Sequence, residues 1–179
     1  MPDFNQVLTP GDVDAGEINV VVEIPQGSSL KIEWNRNIAA FEIDRVEPAI
    51  FAKPVNYGFI PQTLDEDGDE LDALLVTNEP VPTGVFLKTK VIGVMIFEDD
   101  GEVDDKVIVV PADDRHTGNS INSLADLGER WQQQDHRRGG RPNHECRFAC
   151  WLRPVAVEQP HRAGRGQRRD GSGERRRAR

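Results

Sequence analysis

Several residue types are scarce in this chain of 179 residues, and each scarcity excludes a class of protein. Two cysteines are present, Cys146 and Cys150, so neither a disulfide framework nor a zinc site made of cysteines alone can form. No apolar run approaches the roughly 20 residues that cross a membrane, and the N-terminus lacks the basic and then apolar pattern of a signal peptide. We therefore expect a cytoplasmic protein with no membrane partner.

Charge divides the chain into two parts of different kind. Residues 1–129 hold 8 Lys plus Arg and 26 Asp plus Glu, a net charge of -18. Residues 130–179 hold 14 Arg and 5 acidic residues, a net charge of +9, and contain neither Lys nor Ile. The length and the 37% hydrophobic content suffice for one modest core. We therefore assign residues 1–130 to one folded domain and residues 131–179 to an atypical basic tail.

Short β-branched segments separated by turn sequences dominate the first part. The pattern predicts strands over residues 17–25, 30–34, 40–44, 72–77, 84–97 and 106–110, with residues 26–29 as a hairpin turn between the first two. One amphipathic helix is expected to begin near residues 120–123, where Ser123 and Asp126 form an N-cap pattern. Many short strands with few helices favour a mainly β (α+β) fold. We expect a closed or partly closed antiparallel barrel, because closure removes exposed strand edges.

The strongest local signal is the acidic segment DEDGDELD at residues 65–72. Its six carboxylates repel one another unless a cation offsets their charge. A solvated acidic loop is the simplest interpretation, but a second acidic cluster at residues 99–105 could lie beside the first in a barrel. Carboxylates in such number suit Mg²⁺ or Mn²⁺. Together with Lys31 and Arg45, they are typical of metal-assisted phosphoryl transfer.

Six sequence blocks carry a more specific signal. They read VEIP at 22–25, KIE at 31–33, DRV at 44–46, NYGFIP at 56–61, DGDELD at 67–72 and DDK at 104–106. In this order they closely resemble the soluble family I inorganic pyrophosphatases, over about residues 17–129. The resemblance implies an OB-like five-stranded closed barrel, several Mg²⁺ ions per site with Mn²⁺ as a substitute, and hydrolysis of pyrophosphate to two phosphates. It also implies a homo-oligomer, since bacterial relatives are typically hexamers.

The resemblance implies roles for individual residues. The implied metal ligands are Asp67, Asp72, Asp104 and Asp99, with Glu23 as an outer acidic position. Asp69 is implied as the base that takes a proton from the attacking water. The implied phosphate-binding residues are Lys31, Arg45, Tyr57 and Lys106, with Glu33 as a supporting carboxylate. General chemistry agrees, because metal ions acidify a shared water and cationic side chains stabilise the departing phosphate.

One position departs from the pattern of many bacterial relatives. Lys53 stands three residues before the Asn-Tyr-Gly block, where those relatives have an aromatic residue. The change replaces a neutral side chain by a cation. Either Lys53 is a surface lysine beside Pro54, or it adds positive charge to a phosphate site. The sequence leaves both interpretations open.

The resemblance ends within a few residues after Arg130. The family continues with an amphipathic helix and a Tyr-Lys pair that binds phosphate, whereas this chain has no Tyr beyond Tyr57. Because Arg and Gly replace the apolar residues of a helix, we expect the tail to be disordered. It could bind RNA or another polyanion, or fold back onto the acidic barrel. We favour a third interpretation, the translation of a shifted reading frame.

This departure bears on activity and assembly. The helix that contributes to the hexamer lies where the chain departs, so we expect impaired assembly and, with two phosphate ligands missing, impaired activity. A different class of function also stays open. It is a non-enzymatic OB-like barrel that binds polyphosphate or nucleic acid through the Arg-rich tail, although we expect nucleic acid to be no partner of the enzyme itself.

Overall fold

The computed structural model describes residues 3–65, 68–96, 98–99, 102–116 and 120–127. Among these described residues, a short helix α1 (Phe4–Val7) precedes ten strands and two 3₁₀ turns, Ala49–Phe51 and Leu124–Leu127. The strands are β1 (Gly11–Asp12), β2 (Glu17–Ile24), β3 (Leu30–Asn35), β4 (Ala40–Val46), β5 (Asn56–Phe59), β6 (Asp72–Leu75), β7 (Phe86–Met95), β8 (Glu98–Asp99), β9 (Glu102–Val103) and β10 (Lys106–Pro111). The expected mainly β class is confirmed.

Five strands close into a barrel in the order β2-β5-β6-β10-β7, because β7 pairs back onto β2. The short strand β1 pairs with β2 outside this ring. Closure confirms the predicted barrel, but one of its pairings departs from the expected antiparallel arrangement, since β6 and β10 run parallel. The reason is the path of β7. Strand β7 pairs with β2 instead of β6. Strand β10 therefore lies between β6 and β7, parallel to β6 and antiparallel to β7.

The strands β3 and β4 form a separate antiparallel hairpin. The prediction that residues 26–29 join β2 and β3 as a hairpin was wrong, because β3 pairs with β4 in its own sheet. At the end of β2 the buried side chain of Asn56 accepts a hydrogen bond from the backbone N–H of Gln26 at 2.9 Å. Gly27 then takes a positive φ of 83° and redirects the chain.

The core has three parts. Val20, Val22, Leu75 and Val109 are fully buried inside the barrel. A second cluster contains Leu74, Ile92 and Ile108, and Leu124 and Leu127 of the last turn pack against it. The third joins α1 to the hairpin through aromatic rings: Phe4 lies 4.8 Å from Trp34 and 6.0 Å from Phe59 between ring centroids. Edge-to-face ring pairs of this kind hold the hairpin and α1 against strand β5 of the barrel.

The backbones of β5 and β2 approach each other closely at Gly58. A Cβ atom added to Gly58 would overlap the carbonyl oxygen of Val21 and lie 2.8 Å from the carbonyl carbon. Only glycine leaves room for β2 at this place, so the Gly of the Asn-Tyr-Gly block is a packing requirement.

The predicted helix start falls on the 3₁₀ turn Leu124–Leu127. Asp126 accepts hydrogen bonds from the backbone N–H and the hydroxyl of Ser123, both at 2.9 Å, and the first of these bonds is one half of a capping box. The tail predicted to be disordered, residues 131–179, lies outside the described residues. Within them, no helix is long and apolar enough to cross a membrane.

Candidate active site

The first strand residues of β6 and β10 form the centre of the site. Asp72 begins β6 and Lys106 begins β10, and the parallel register places the two residues opposite each other. The Nζ atom of Lys106 lies 2.7 Å from Asp72 Oδ2, 2.7 Å from Asp104 Oδ1 and 3.2 Å from the hydroxyl of Tyr57. The Tyr57 hydroxyl itself donates to Asp72. Four residues predicted from the sequence therefore form one cluster.

Burial and the neighbouring charged groups shift the pKa values of Asp72, Lys106 and Tyr57. Burial raises the pKa of Asp72, although Lys106 and Tyr57 act against the rise. Burial alone would lower the pKa of Lys106, but Asp72 and Asp104 outweigh it and raise the pKa overall. Burial and the charge of Asp72 raise the pKa of Tyr57 well above its usual range. Near neutral pH, Lys106 is thus a cation and Tyr57 a hydrogen-bond donor.

Glu23, on β2, adds a further carboxyl group. Its Oε1 accepts a hydrogen bond from the backbone N–H of Trp34 at 2.8 Å, which ties the hairpin to the barrel. Burial raises the pKa of Glu23 to about 8, and the charges of Asp72, Glu33 and Glu70 add to the effect. Such an excess of carboxyl groups favours the binding of a cation.

The described donors fit a hard divalent cation, but they do not make a complete site. Asp72 and Asp104 already share one cation, the Lys106 ammonium, and carboxylate oxygens are the ligands that Mg²⁺ prefers. Within the described residues, no three Asp, Glu, His or Cys side chains are grouped as a metal site. Two predicted ligands, Asp67 and Asp99, have side chains outside the described part of the structure. Asp67 lies outside the described residues, and for Asp99 only the backbone, in β8, is described.

The hairpin β3–β4 carries the predicted phosphate-binding cations. Lys31 Nζ lies 2.5 Å from Glu33 and 3.5 Å from Asp44, while Arg45 pairs with Asp44 at 2.6 Å and with Glu47. A cavity of about 60 Å³ lies between them. It is lined by Ser28, Ser29, Leu30, Lys31, Arg45, Glu47, Phe51 and Lys53.

Lys53 connects this cavity to the Lys106 cluster. Its Nζ lies 4.7 Å from the ring centroid of Tyr57, and the Nζ of Lys106 lies 5.4 Å from the same ring. Both distances are in the range of cation–π contacts. Of the two interpretations of Lys53, the structure favours the cation that faces the site.

Asp69, the predicted base, lies on the acidic loop with its side chain 78% exposed. Arg36, in the turn of the β3–β4 hairpin, binds both Asp69 at 3.0 Å and Glu70 at 2.8 Å. The sequence analysis missed Arg36 and Glu70. The two acidic partners lie 33 and 34 positions from Arg36, and no local pattern announces such a contact.

Asn56, the first residue of the Asn-Tyr-Gly block, positions the neighbouring segments. It is fully buried, and its Oδ1 accepts from the backbone N–H groups of Gln26 at 2.9 Å and Val81 at 2.7 Å. Its Nδ2 donates to Thr77 Oγ1 at 2.7 Å. Asn56 therefore fixes the segments on both sides of β5 and so places Tyr57.

Comparisons with known proteins identify the family of this chain. Residues 20–137 match the family model described as inorganic pyrophosphatase. The chain is 78% identical over 127 residues to the inorganic pyrophosphatase of Haemophilus influenzae, covering 71% of this chain and 72% of that protein. It is similar to the crystal structure of an inorganic pyrophosphatase from Neisseria gonorrhoeae, with 70% identity, a TM-score of 0.71, and coverage of 74% and 76% of the two chains. The Thermus thermophilus enzyme gives 38% identity, a TM-score of 0.65, and coverage of 71% and 72%.

Proposed function

This chain belongs to the inorganic pyrophosphatase family, and on that premise we propose that it hydrolyses pyrophosphate to two phosphates at the barrel end where Lys106, Asp72 and Asp104 meet. The observation that carries the proposal is the pair of 2.7 Å contacts of the Lys106 ammonium with the two carboxylates, beside the Tyr57 hydroxyl. All four residues lie within the span that matches the family model.

The proposed cofactor is Mg²⁺, with Mn²⁺ as a substitute. Its ligands would be Asp72 and Asp104 together with Asp67 and Asp99, and Glu23 would be an outer carboxylate. When bound, the ions supply an acidified water and draw charge from the phosphoryl oxygens. Asp69 is the proposed base, as the family resemblance implies, and its exposed carboxylate can take the proton of a water.

The proposed phosphate-binding residues form two groups, one that lines the cavity and one around Lys106. Lys31, Arg45 and Lys53 line one cavity together with Glu47, so a phosphate group there would meet three cationic side chains and one carboxylate. Glu33 supports Lys31 from 2.5 Å. Lys106 and Tyr57 face the same substrate from the barrel, and the raised pKa of the Tyr57 hydroxyl keeps it a donor. Hydrogen-bond donors at these positions would stabilise the charge that develops on the departing phosphate.

The test is phosphate release from pyrophosphate by the full chain, with Mg²⁺ and with EDTA. We expect release only with Mg²⁺. Arg45→Met should raise KM because it removes one phosphate contact. Arg115→Met is the matched control, since Arg115 is 90% exposed and pairs with Asp113 at 3.6 Å. Absence of Mg²⁺-dependent release, or an equal effect of both variants, contradicts the proposal.

Domain limits, assembly and location stay predictions. We propose residues 1–130 as the catalytic domain, with residues 131–179 as a separate tail. Pyrophosphate is the small-molecule partner that the family implies. Assembly should be weaker than the hexamer of bacterial relatives, and elution at hexamer mass in size-exclusion chromatography would contradict this. The cytoplasmic location is likewise untested, and nothing in the described part of the chain favours the polyanion-binding alternative.

A further inference from the structure

We infer that Arg36 is a positioning residue for Asp69, an inference that rests on the proposed role of Asp69 as the base. Arg36 lies just beyond β3, in the turn that leads to β4. Its Nη2 atom contacts Asp69 Oδ1 at 3.0 Å and Glu70 Oε2 at 2.8 Å. One guanidinium therefore links two consecutive carboxylates of the acidic loop to the hairpin.

Glu70 makes this link rigid. Its side chain is 9% exposed, and Asn5 Nδ2 donates to its other oxygen, Oε1. Asn5 is itself held, because its Oδ1 accepts from the backbone N–H of Gln62 at 2.7 Å and its carbonyl oxygen accepts from Gln62 Nε2 at 2.8 Å. Arg36 is thus attached to a fixed, buried carboxylate on one side. On the other side it contacts Asp69, which is 78% exposed.

Because Glu70 is buried and Asp69 is exposed, the contact with Arg36 restricts the side chain of Asp69. An exposed carboxylate on a loop samples several rotamers, and a charge-assisted bond to one of its oxygens restricts that choice. Arg36 binds Oδ1 of Asp69 and so orients the carboxylate as a whole. A base misplaced by about 1 Å can cost on the order of a hundredfold in rate. Arg36 does not line the cavity between Lys31 and Arg45, so its effect should fall on kcat and not on KM.

The experiment compares the steady-state kinetics of Arg36→Met, Arg36→Lys and Arg115→Met in the full chain with Mg²⁺. We expect kcat of Arg36→Met to fall by about 10- to 100-fold with KM nearly unchanged. Arg36→Lys should recover part of the loss, because its point charge can contact one carboxylate but lacks the planar fork. Arg115→Met should match the unsubstituted chain. A kcat of Arg36→Met equal to that of Arg115→Met overturns the inference.

A second pair of variants separates this inference from the proposed function. Arg36→Met should have no further effect in an Asp69→Asn background, because the group it positions is gone. A fully additive loss would indicate a structural role and overturn the inference. If Asp69→Asn keeps its activity, the base assignment itself is wrong. If Asp69→Asn is inactive while Arg36→Met is normal, only the role of Arg36 fails.

One readout does not depend on turnover. The NMR chemical shift of the Asp69 carboxyl carbon, assigned by its loss in Asp69→Asn, should change when Arg36 is replaced by Met. An unchanged shift contradicts the contact and with it the inference, whatever the activity.

Discussion

Replacing Lys106 by Met tests whether the Lys106 cluster is held together by charge. The variant keeps the length and apolar stem of the side chain but leaves Asp72 and Asp104 facing each other without the ammonium between them. Removing one partner of a buried ion pair costs about 3–5 kcal/mol. The Lys106 side chain is 12% exposed, but Asp72 and Asp104 are 24% and 32% exposed, so water relieves part of the repulsion. We therefore expect a loss near the lower end, about 3 kcal/mol.

The assay is urea unfolding in EDTA near neutral pH, with Lys31→Met as the matched control. Lys31 also contacts two carboxylates, but its side chain is 35% exposed and its partner Glu33 46%. Exposed pairs contribute less than about 1 kcal/mol. Adding Mg²⁺ should restore part of the stability of Lys106→Met, because it supplies a cation to the same carboxylates. Equal destabilisation by the two variants would refute the reasoning.

Three further predictions follow from particular residues. Gly58→Ala should cost about 3 kcal/mol in urea unfolding, whereas Gly93→Ala should cost less because the atoms nearest to its Cβ belong to the flexible side chain of Leu124; equal losses would contradict this. Because the folded pKa of Glu23 is about 8 and its ordinary value 4.5, its contribution to stability is complete below pH 4.5 and lost as pH rises to 8. Glu23→Gln should therefore flatten the pH dependence of Tm in the metal-free chain, and an unaltered slope would show the shift to be absent. If the tail arises from a shifted frame, the codons around residues 129–133, read one base forward or back, should encode an amphipathic helix and a Tyr-Lys pair, and neither frame doing so would exclude that origin.

Local sequence patterns predicted most barrel strands and the closed barrel, but not the order in which the strands pair. Residues 17–24 and 106–110 are rich in β-branched residues, and both segments form strands as predicted. Strand β5 was missed because it has four residues and contains Gly58, which is disfavoured in strands unless two backbones must approach closely. The predicted hairpin between β2 and β3 was wrong because a long-range contact, and not the local turn sequence, sets the path of the chain. The turn residues at 26–29 are real turn formers, but the long-range bond from Gln26 to Asn56 decides where the chain goes.

For the site as well, local features could be predicted from the sequence, whereas long-range contacts could not. The acidic segments and the cations could be identified from the sequence, because runs of carboxylates and the six family blocks are local features. The contact of Lys106 with Asp72 depends on the parallel register of β6 and β10, which a prediction of antiparallel strands does not provide. Arg36 could not be found at all, since its contacts with Asp69 and Glu70 exist only after the hairpin packs over the barrel.

The most direct test of the central claim is a comparison of the chain with its Asp69→Asn variant, measuring phosphate produced per pyrophosphate consumed in the presence of Mg²⁺. The account predicts two phosphates for each pyrophosphate with the unsubstituted chain, no release in EDTA, and a large loss of kcat in the variant with Mg²⁺ binding retained. Release that persists in EDTA, or equal turnover by both chains, would contradict the account.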